Sequence, residues 1–463
     1  MTANRTGPGP VVGTVIDGSV RTGARARDAR WTALVLGVLF GLTATGSSAA
    51  AVVLPELRSD LQLGTAQAAW VLSIYALALA VTTAVYGRIA DVVGIRTPLI
   101  AGVLLMATGA GLSAMAPAMP LLLLGRTLQG AGGGSVPVLT VALVSARFSG
   151  AVRTTALGRV AGVSAAISAL GPLLGGAAAT AGGWRAAVAL PAVGVVLLPF
   201  VARAAPVEGA GGHLDLTGAA LVAGTASGLV LLLQSVSAGA VVAGIGAGLL
   251  LAGVPLTARH VHRRPDGFLP MSVITRWPMV RAAVTGASVP AAWFALLLAV
   301  PAVLDSRGWT TLEVGLVLVP SAVIGLLAAQ TSGWFLQRLG APATLASAAL
   351  LTAAMLVAAA LGVRSGWPWV LAAAVVGVTV AFGIGQPAMV WAVGTAVPTP
   401  VRGIALGVAT LIFLVGGSLG AAAVGGLADA IGTPLALGAV ALLPTLAAAG
   451  VLAGGHRAGE ERG

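Results

Sequence analysis

The chain of 463 residues has no cysteine, few charged side chains and no lysine among its 25 basic residues. Without cysteine it has no disulfide, no thiolate metal ligand and no cysteine nucleophile. Charged residues make up 8% of the chain, whereas they make up roughly 25% of a soluble globular domain. Because so few charges cannot cover a water-facing surface, the composition predicts that a lipid bilayer covers most of the protein.

The charge balance is nevertheless basic, with a formal net charge of +12. In a soluble protein this balance would suggest nucleic acid as a partner. Here the arginines lie in short gaps between long apolar runs, which indicates membrane topology instead and no nucleic-acid partner. The sequence also indicates no metal site, no cofactor and no obligate protein partner.

Fourteen apolar segments follow one another, most of them close to the roughly 20 residues that cross a bilayer. The first is too long for the apolar region of a signal peptide, about 7–15 residues, so we interpret it as an uncleaved helix. Membrane strands need alternating polarity, which these runs lack, so the predicted fold class is an all-α polytopic membrane protein. The segments are Thr32–Leu54, Ala68–Tyr86, Pro98–Ala116, Leu121–Ser145, Ala161–Ala179, Ala186–Val201, Leu216–Gln234, Ala240–Ala258, Ala282–Leu304, Val314–Leu336, Ala343–Val363, Pro368–Trp391, Gly403–Leu427 and Pro434–Leu452.

The loop arginines orient these segments, because cytoplasmic loops carry an excess of basic residues. If the N-terminus is cytoplasmic, Arg58, Arg185, Arg307 and Arg364 fall on the outer side and Arg126 falls within segment 4. The remaining 20 of the 25 arginines fall on the inner side. This pattern predicts cytoplasmic N- and C-termini and a multi-pass protein of the inner (cytoplasmic) membrane of the cell.

Two glycine patterns recur eight segments apart. Gly87–Gly94 follows segment 2 and is matched by Gly333–Gly340 after segment 10, while Gly171–Gly176 in segment 5 is matched by Gly420–Gly426 in segment 13. A six-helix unit repeated directly would give an offset of six, so we expect two inserted helices, segments 7 and 8, between two six-helix halves. The predicted organisation is a cytoplasmic tail (1–30), an N-terminal half (31–204), two inserted helices (205–258), a cytoplasmic loop (259–281), a C-terminal half (282–453) and a cytoplasmic tail (454–463).

The motifs resemble those of the major facilitator superfamily, in its branch of fourteen-helix drug:proton antiporters for multidrug or antibiotic efflux. The resemblance implies the major facilitator fold, alternating access, and export of a small hydrophobic substrate in exchange for protons. Three stretches carry most of it: the signature loop after helix 2 (Gly87, Asp91, Gly94, Arg96), the helix-4 motif (Leu124–Gly132) and the antiporter-type motif of helix 5 (Gly171, Pro172, Gly175, Gly176).

Arg126 is the one charge clearly inside a segment. A charge there costs about 2.5–3.5 kcal/mol on insertion scales, so it usually faces a cavity or a partner. The resemblance implies a role in proton or substrate coupling; the alternative is an arginine that snorkels to the outer headgroups. The family commonly has an aspartate in helix 1 where this chain has Gly46, so Glu313 and Asp429, at predicted outer helix ends, are the remaining candidates for a coupling carboxylate.

Asp91 is the candidate gating residue of the signature loop. It lies beside arginines at a predicted cytoplasmic helix end, where charge-assisted hydrogen bonds would lock an inner gate. The alternative is an ordinary loop that only sets topology.

The absence of an acidic residue clearly inside a segment favours a neutral or anionic hydrophobic substrate over a cationic drug. Aromatic and amide side chains on several segments are candidate substrate contacts, although packing or interhelical hydrogen bonding is the more common role of such residues. They are Tyr75, Gln129, Trp293, Gln330, Gln386 and Trp391.

Two other classes of function remain as alternatives. An importer, a symporter or an uncoupled facilitator of another small solute would share the fold. A membrane enzyme has one point in its favour, because Gly416, Ser418 and Gly420 match the nucleophile-elbow pattern. That pattern needs a strand, a turn and a histidine, and the serine lies inside segment 13 without them, so the sequence predicts a protein that is not an enzyme.

Overall fold

The computed structural model describes residues 14–205, 215–265, 267–398 and 402–460. Within these ranges the chain is helical and contains no strand, which confirms the all-α prediction. The N-terminal part (residues 14–205) contains α1 Thr14–Val52, α2 Leu54–Leu61, α3 Thr65–Val93, α4 Arg96–Ala114, α5 Met119–Gly133, α6 Ser135–Arg147, α7 Gly150–Ala169, α8 Gly171–Ala189, a 3₁₀ segment Leu190–Leu197 and α9 Leu198–Ala204. The remainder contains α10 Leu216–Ala238, α11 Ala240–Arg263, α12 Met271–Ile274, α13 Trp277–Asp305, α14 Thr311–Val317, α15 Val319–Ser365, α16 Pro368–Ala396, α17 Arg402–Ile431 and α18 Thr433–Glu460.

Twelve helices of the described chain are long and apolar enough to cross a membrane, where the sequence predicted fourteen. The difference arises at two pairs of expected segments. Segment 5 is divided between α7 and α8, and α8 then continues toward segment 6. Segment 10 is likewise divided between α14 and α15, and α15 continues into segment 11.

Glycines mark the points where these long helices bend. Gly183 has φ 65° inside α8, and Gly340 has φ 72° inside α15, a backbone region that favours glycine. The resulting spans, Gly171–Ala204 and Thr331–Ser365, contain 34 and 35 residues. A straight helix of that length would be about 50 Å long at about 1.5 Å per residue, well beyond a hydrocarbon core of about 30 Å.

The buried apolar core is continuous at one end of the molecule and divided at the other. At the end that carries Trp184, which we call the Trp184 end, one cluster joins residues such as Leu54 and Leu72 to Leu304 and Val424. At the opposite end, which carries Arg96 and is called the Arg96 end, two separate clusters belong to the N-terminal part and to residues after 266. The Trp184 end is therefore closed across the two parts of the chain.

Helix α10 lies along the seam between α3 and α17. Its residue Val230 packs with Leu77 and Val81 of α3 and with Ala422 of α17. Nearer the Arg96 end, its residue Ala219 belongs to a second such cluster, with Ala80, Phe268 and Leu411. The expected inserted pair therefore contacts both parts of the chain through its first helix, while most of α11 is exposed.

The glycines of the segment 5 motif allow two close helix approaches. A Cβ added at Gly175 would lie 2.7 Å from Cα of Ala49 on α1, which belongs to the same part of the chain. A Cβ added at Gly176 would lie 2.9 Å from the carbonyl oxygen of Thr311, at the start of α14 in the other part. Only glycine permits this spacing without a shift of the backbone.

The matching glycines of segment 13 make the corresponding contacts. Gly420 of α17 faces the carbonyl oxygen of Ala291 on α13, in its own part of the chain, and Gly425 faces Cβ of Ala69 on α3, in the other part. In terms of apolar segments, segment 5 meets segment 1 and the residues just before segment 10, while segment 13 meets segments 9 and 2. Each contact maps onto its counterpart by a shift of eight segments.

Candidate functional site

Arg126 lies in the interior of the N-terminal part, on α5. Its Nε donates to the carbonyl oxygen of Val71 on α3 at 2.9 Å, and its Nη1 donates to Oε1 of Gln129 one turn further along α5. Gln129 in turn donates through Nε2 to the carbonyl oxygen of Val188 at 3.3 Å. Arg126 thus ties α5 to α3, and Gln129 ties α5 to α8. Arg126 is completely buried, which is the opposite of a snorkelling arginine.

Tyr75 of α3 covers one face of this guanidinium. The centre of its ring lies 4.3 Å from Cζ of Arg126, and its hydroxyl donates to the carbonyl oxygen of Thr43 on α1 at 2.6 Å. Gly46 leaves room for the ring, because a Cβ there would lie 2.8 Å from Oη of Tyr75, and Gly130 leaves room for the α3 backbone at the Tyr75 carbonyl oxygen. The hydroxyl of Tyr75 therefore faces the position where the resemblance led us to look for an aspartate.

The charge of Arg126 has no acidic partner among the described residues. Among the described residues, Arg126 is the only charged residue that is buried. Its Nη2 is buried without a hydrogen-bond partner there. Because a lone charge in a bilayer is costly, such residues usually face a partner or a ligand.

The two acidic side chains of helix α2 have other partners. Asp60 accepts from Nε1 of Trp184 at 2.9 Å and from Nη1 of Arg185 at 2.8 Å, and Glu56 accepts from the backbone N–H of Trp184 at 3.1 Å. The hydrogen bond from Trp184, followed by that from Arg185, lowers the pKa of the Asp60 carboxyl below its usual value. These side chains fasten α2 to the bend of α8, a pairing that the sequence analysis missed because their separation in the chain exceeds 120 residues.

The two predicted coupling carboxylates lie at helix ends. Glu313 accepts through Oε2 from the backbone N–H and the hydroxyl of Thr310, so that it forms the cap of α14. Asp429 is exposed near the end of α17. Both stand apart from the Arg126 network, and their role in coupling stays a prediction.

The expected signature loop is mostly helical. Helix α3 continues through Gly87 to Val93, Gly94 ends it with φ 84°, and α4 begins at Arg96. The expectation of a loop over the whole stretch was therefore wrong, because the apolar run of segment 2 ends before its helix does. The side chain of Asp91 lies outside the described residues, and the gating role of the four residues stays a prediction.

The described candidates for substrate contacts lie in different surroundings, and their role as contacts stays a prediction. Tyr75 and Gln129 belong to the Arg126 network, whereas Trp293 contacts Phe382 with ring centres 6.5 Å apart. Gln386 and Trp391 are exposed. The side chain of Gln330 lies outside the described residues.

A second polar cluster, also missed from the sequence, lies where α10 begins. Asp215 accepts from the backbone N–H groups of Gly218 and Phe268, both at 2.9 Å, and contacts Nε2 of His260 at 2.9 Å. Burial raises the pKa of the Asp215 carboxyl, but these hydrogen bonds outweigh it and leave the pKa below its usual value. The loop that Asp215 holds accepts a hydrogen bond at Gly267 O from Nη2 of Arg88 at 3.4 Å.

No group of three or more His, Asp or Glu side chains that could hold a metal ion occurs within the described residues.

Comparisons with known proteins identify membrane transporters as relatives of this chain. Residues 36–256 match the sequence profile of the Major Facilitator Superfamily. The chain is 30% identical over 363 residues to the cephamycin export protein CmcT of Amycolatopsis lactamdurans. This match covers 73% of this chain and 73% of CmcT. It is 28% identical over 418 residues to the tetracenomycin C resistance and export protein of Streptomyces glaucescens, covering 85% and 74% of the two chains.

Other relatives match over less of their length. The efflux pump dotC of Dothistroma septosporum is 33% identical over 152 residues, and the match spans 26% of that protein. Among solved structures, a POT family transporter superimposes with a TM-score of 0.70 at 13% identity, covering 92% of this chain and 96% of that one. The peptide transporter POT in complex with sulfate gives a TM-score of 0.69 at 18% identity, with coverage of 92% and 94%. At these identities the structures show a shared fold.

Proposed function

The chain belongs to the major facilitator superfamily and is a multi-pass membrane transporter. On that basis we propose that it exports hydrophobic drugs or antibiotics across the cytoplasmic membrane in exchange for protons, by alternating access. Two relatives, each covered over more than two thirds of its length, are named for the export of cephamycin and of tetracenomycin C. Export by this chain is our inference from that similarity.

The observation that carries the mechanism is the asymmetry of the core. One large apolar cluster seals the two parts of the chain at the Trp184 end. Toward the Arg96 end two separate clusters belong to the two parts, and only the small Ala219 cluster joins α3 to α17. With cytoplasmic termini, as the arginines predict, the Trp184 end is the outer end and the described conformation is closed to the outside. Alternating access then consists of unsealing this cluster while the Arg96 end closes.

We further propose fourteen crossings, arranged as two six-helix halves (31–204 and 282–453) with helices α10 and α11 inserted between them and with both termini cytoplasmic. Two of the twelve long apolar spans are longer than a single crossing needs, and each contains a glycine at which the helix bends. The glycine contacts of segments 5 and 13 repeat with the offset that two inserted helices require.

For coupling we propose Arg126, with Glu313 or Asp429 as the carboxylate that meets the outer side, and for the inner gate Gly87, Asp91, Gly94 and Arg96. An uncoupled facilitator is the second candidate. What favours it is that no acidic residue is buried among the described residues, whereas proton exchange needs a group that binds and releases protons within the transport path.

Transport into sealed inverted vesicles tests the proposal. The purified protein is reconstituted, the vesicle interior is made acidic, and uptake of neutral, anionic and cationic drugs is followed with the wild type and with Arg126→Ala. Accumulation that needs both the gradient and Arg126 supports proton-driven export. Uptake that equilibrates without regard to the gradient supports the facilitator, and no uptake of any drug contradicts export.

A further inference from the structure

The Arg126 network leaves one donor of the guanidinium unused. Nε and Nη1 have acceptors, and Tyr75 covers one face of the group. Nη2 is buried and has no hydrogen-bond partner among the described residues. A buried donor without an acceptor destabilises the folded protein, and the effect is larger when the group is charged.

Among the described residues, no acidic side chain binds the guanidinium and neutralises its charge. The neighbours that bind the guanidinium are a carbonyl oxygen, an amide and an aromatic ring, all of them uncharged. Glu56 and Asp60 already accept hydrogen bonds from Trp184, and Asp60 also pairs with Arg185. Among the described residues the buried interior thus has a single charge, and it is positive.

We propose that the transported molecule carries a carboxylate or a similar monoanionic group, and that this group accepts a hydrogen bond from Nη2 of Arg126 during transport. The inference deepens the proposed export function and rests on it. A carboxylate matches a guanidinium in charge and geometry and makes a stronger hydrogen bond than a neutral acceptor. An amphiphilic organic acid would supply the anion.

Access to Nη2 requires a change of conformation. Arg126 is fully buried in the described state, and Tyr75 links α3 to α1 above it through the hydrogen bond to the Thr43 carbonyl. The anion therefore binds when α1 moves away from α3 and α5, and the Tyr75 hydroxyl then loses its acceptor on Thr43. Substrate binding and this local opening are expected to occur together.

A matched pair of probes isolates the charge of the ligand. Dansylglycine is ionised at pH 7, and its methyl ester has nearly the same shape and no charge. Binding of both to the purified full chain in nanodiscs is measured by dansyl fluorescence. We expect the acid to bind at least tenfold more tightly than the ester.

Variants locate the site of this preference. Arg126→Gln removes the charge and should reduce the acid-to-ester ratio to about one, whereas Arg126→Lys keeps the charge and should retain part of the preference. Arg364→Gln is the matched control, because Arg364 is an exposed arginine near the end of α15. Each variant is first checked for a single size-exclusion peak and for helical circular dichroism, and Arg126→Lys serves as the test if Arg126→Gln does not fold.

Transport separates failure of this inference from failure of the export proposal. A weak acid that permeates by itself collects in the alkaline compartment, so its accumulation in the acidic interior of inverted vesicles reports transport. If the ester is accumulated as well as the acid, or if the acid preference survives Arg126→Gln, the anion inference is wrong while export stands. If a broad drug panel and both probes fail to accumulate, the export proposal itself is wrong.

Discussion

The guanidinium of Arg126 lies against the ring of Tyr75, with Cζ 4.3 Å from the ring centre, and the hydroxyl of that ring donates to the carbonyl oxygen of Thr43. One tyrosine therefore stabilises a buried cation and at the same time links α3 to α1. The two contributions are separable, because the first needs the ring and the second needs the hydroxyl.

Tyr75→Phe removes only the hydroxyl. We expect it to lower the free energy of unfolding by about 1 kcal/mol, the usual net value of one hydrogen bond. Tyr75→Leu also removes the ring and should cost about 2 kcal/mol more, the value of a desolvated cation–π contact. Unfolding in mixed micelles, followed by circular dichroism, measures both; equal losses for the two variants would contradict the role assigned to the ring.

Gly176→Ala tests the seal at the Trp184 end. The added methyl group would lie 2.9 Å from the Thr311 carbonyl oxygen, and overpacking of this kind typically costs about 1–3 kcal/mol. We expect the variant to shift the protein away from the closed arrangement. Gly162→Ala is the control, since a Cβ there has no atom within 4 Å.

Spin labels report this shift directly, because the chain has no native cysteine. Thr65 and Thr433 line the same small cavity, of about 30 Å³, between the two parts of the chain. Labels on cysteines introduced at these positions should move apart in Gly176→Ala and stay in place in Gly162→Ala. Unchanged distances in both variants would show that Gly176 does not control the seal.

Asp60→Asn is expected to weaken the attachment of α2 to Trp184 and Arg185. The pKa of Asp60 is lowered in the folded state, so its ionised form stabilises the fold at pH values above its ordinary value of 3.8. This contribution is lost as the pH falls below 3.8 through the folded pKa. The melting temperature of the wild type should exceed that of Asp60→Asn slightly at pH 7, and the difference should shrink below pH 4. A difference that grows on acidification would refute the assignment.

Asp215 is expected to hold the loop that follows α11. Asp215→Ala loses an N-cap, which costs about 1 kcal/mol, together with the contacts to His260 and to the Phe268 N–H. Asn is an equally good cap, so Asp215→Asn should be less destabilised. Trypsin provides the readout at Arg263, because the bond after Arg264 is protected by Pro265. Cleavage after Arg263 should be faster in Asp215→Ala than in Asp215→Asn, and equal rates in the wild type and both variants would argue against this role of Asp215.

Glu313→Gln distinguishes a coupling role from a structural one. Glutamine also serves at the third position of a capping box, so α14 should stay intact while the group that binds a proton is lost. If Glu313 is the coupling carboxylate, gradient-driven uptake is abolished and the melting temperature is nearly unchanged. Asp429→Asn, which changes an exposed residue that caps no helix, is measured beside it. If both variants show normal uptake, neither residue is the coupling group.

The sequence alone determined the fold class. Run length, the scarcity of charge and the lack of alternating polarity predict membrane helices, because bilayer thickness and backbone hydrogen bonding act on each stretch of chain locally. The same local reasoning identified Arg126 as a solitary intramembrane charge, and motif spacing indicated the superfamily. The offset of eight segments was also readable, since glycine is required wherever two helices approach closely.

Only the tertiary structure decided what these residues contact. Tyr75 and Arg126 are 51 positions apart and Asp60 and Trp184 are 124 apart, and nothing in the local pattern of either stretch requires the pairing. The bends at Gly183 and Gly340, which join expected segments into longer helices, likewise depend on what packs against each side. Apolar run length is a property of one segment, whereas the partner of a buried charge is fixed by the packing of several helices at once. For that reason the sequence revealed Arg126 as an intramembrane charge, and only the fold revealed that its surroundings are uncharged.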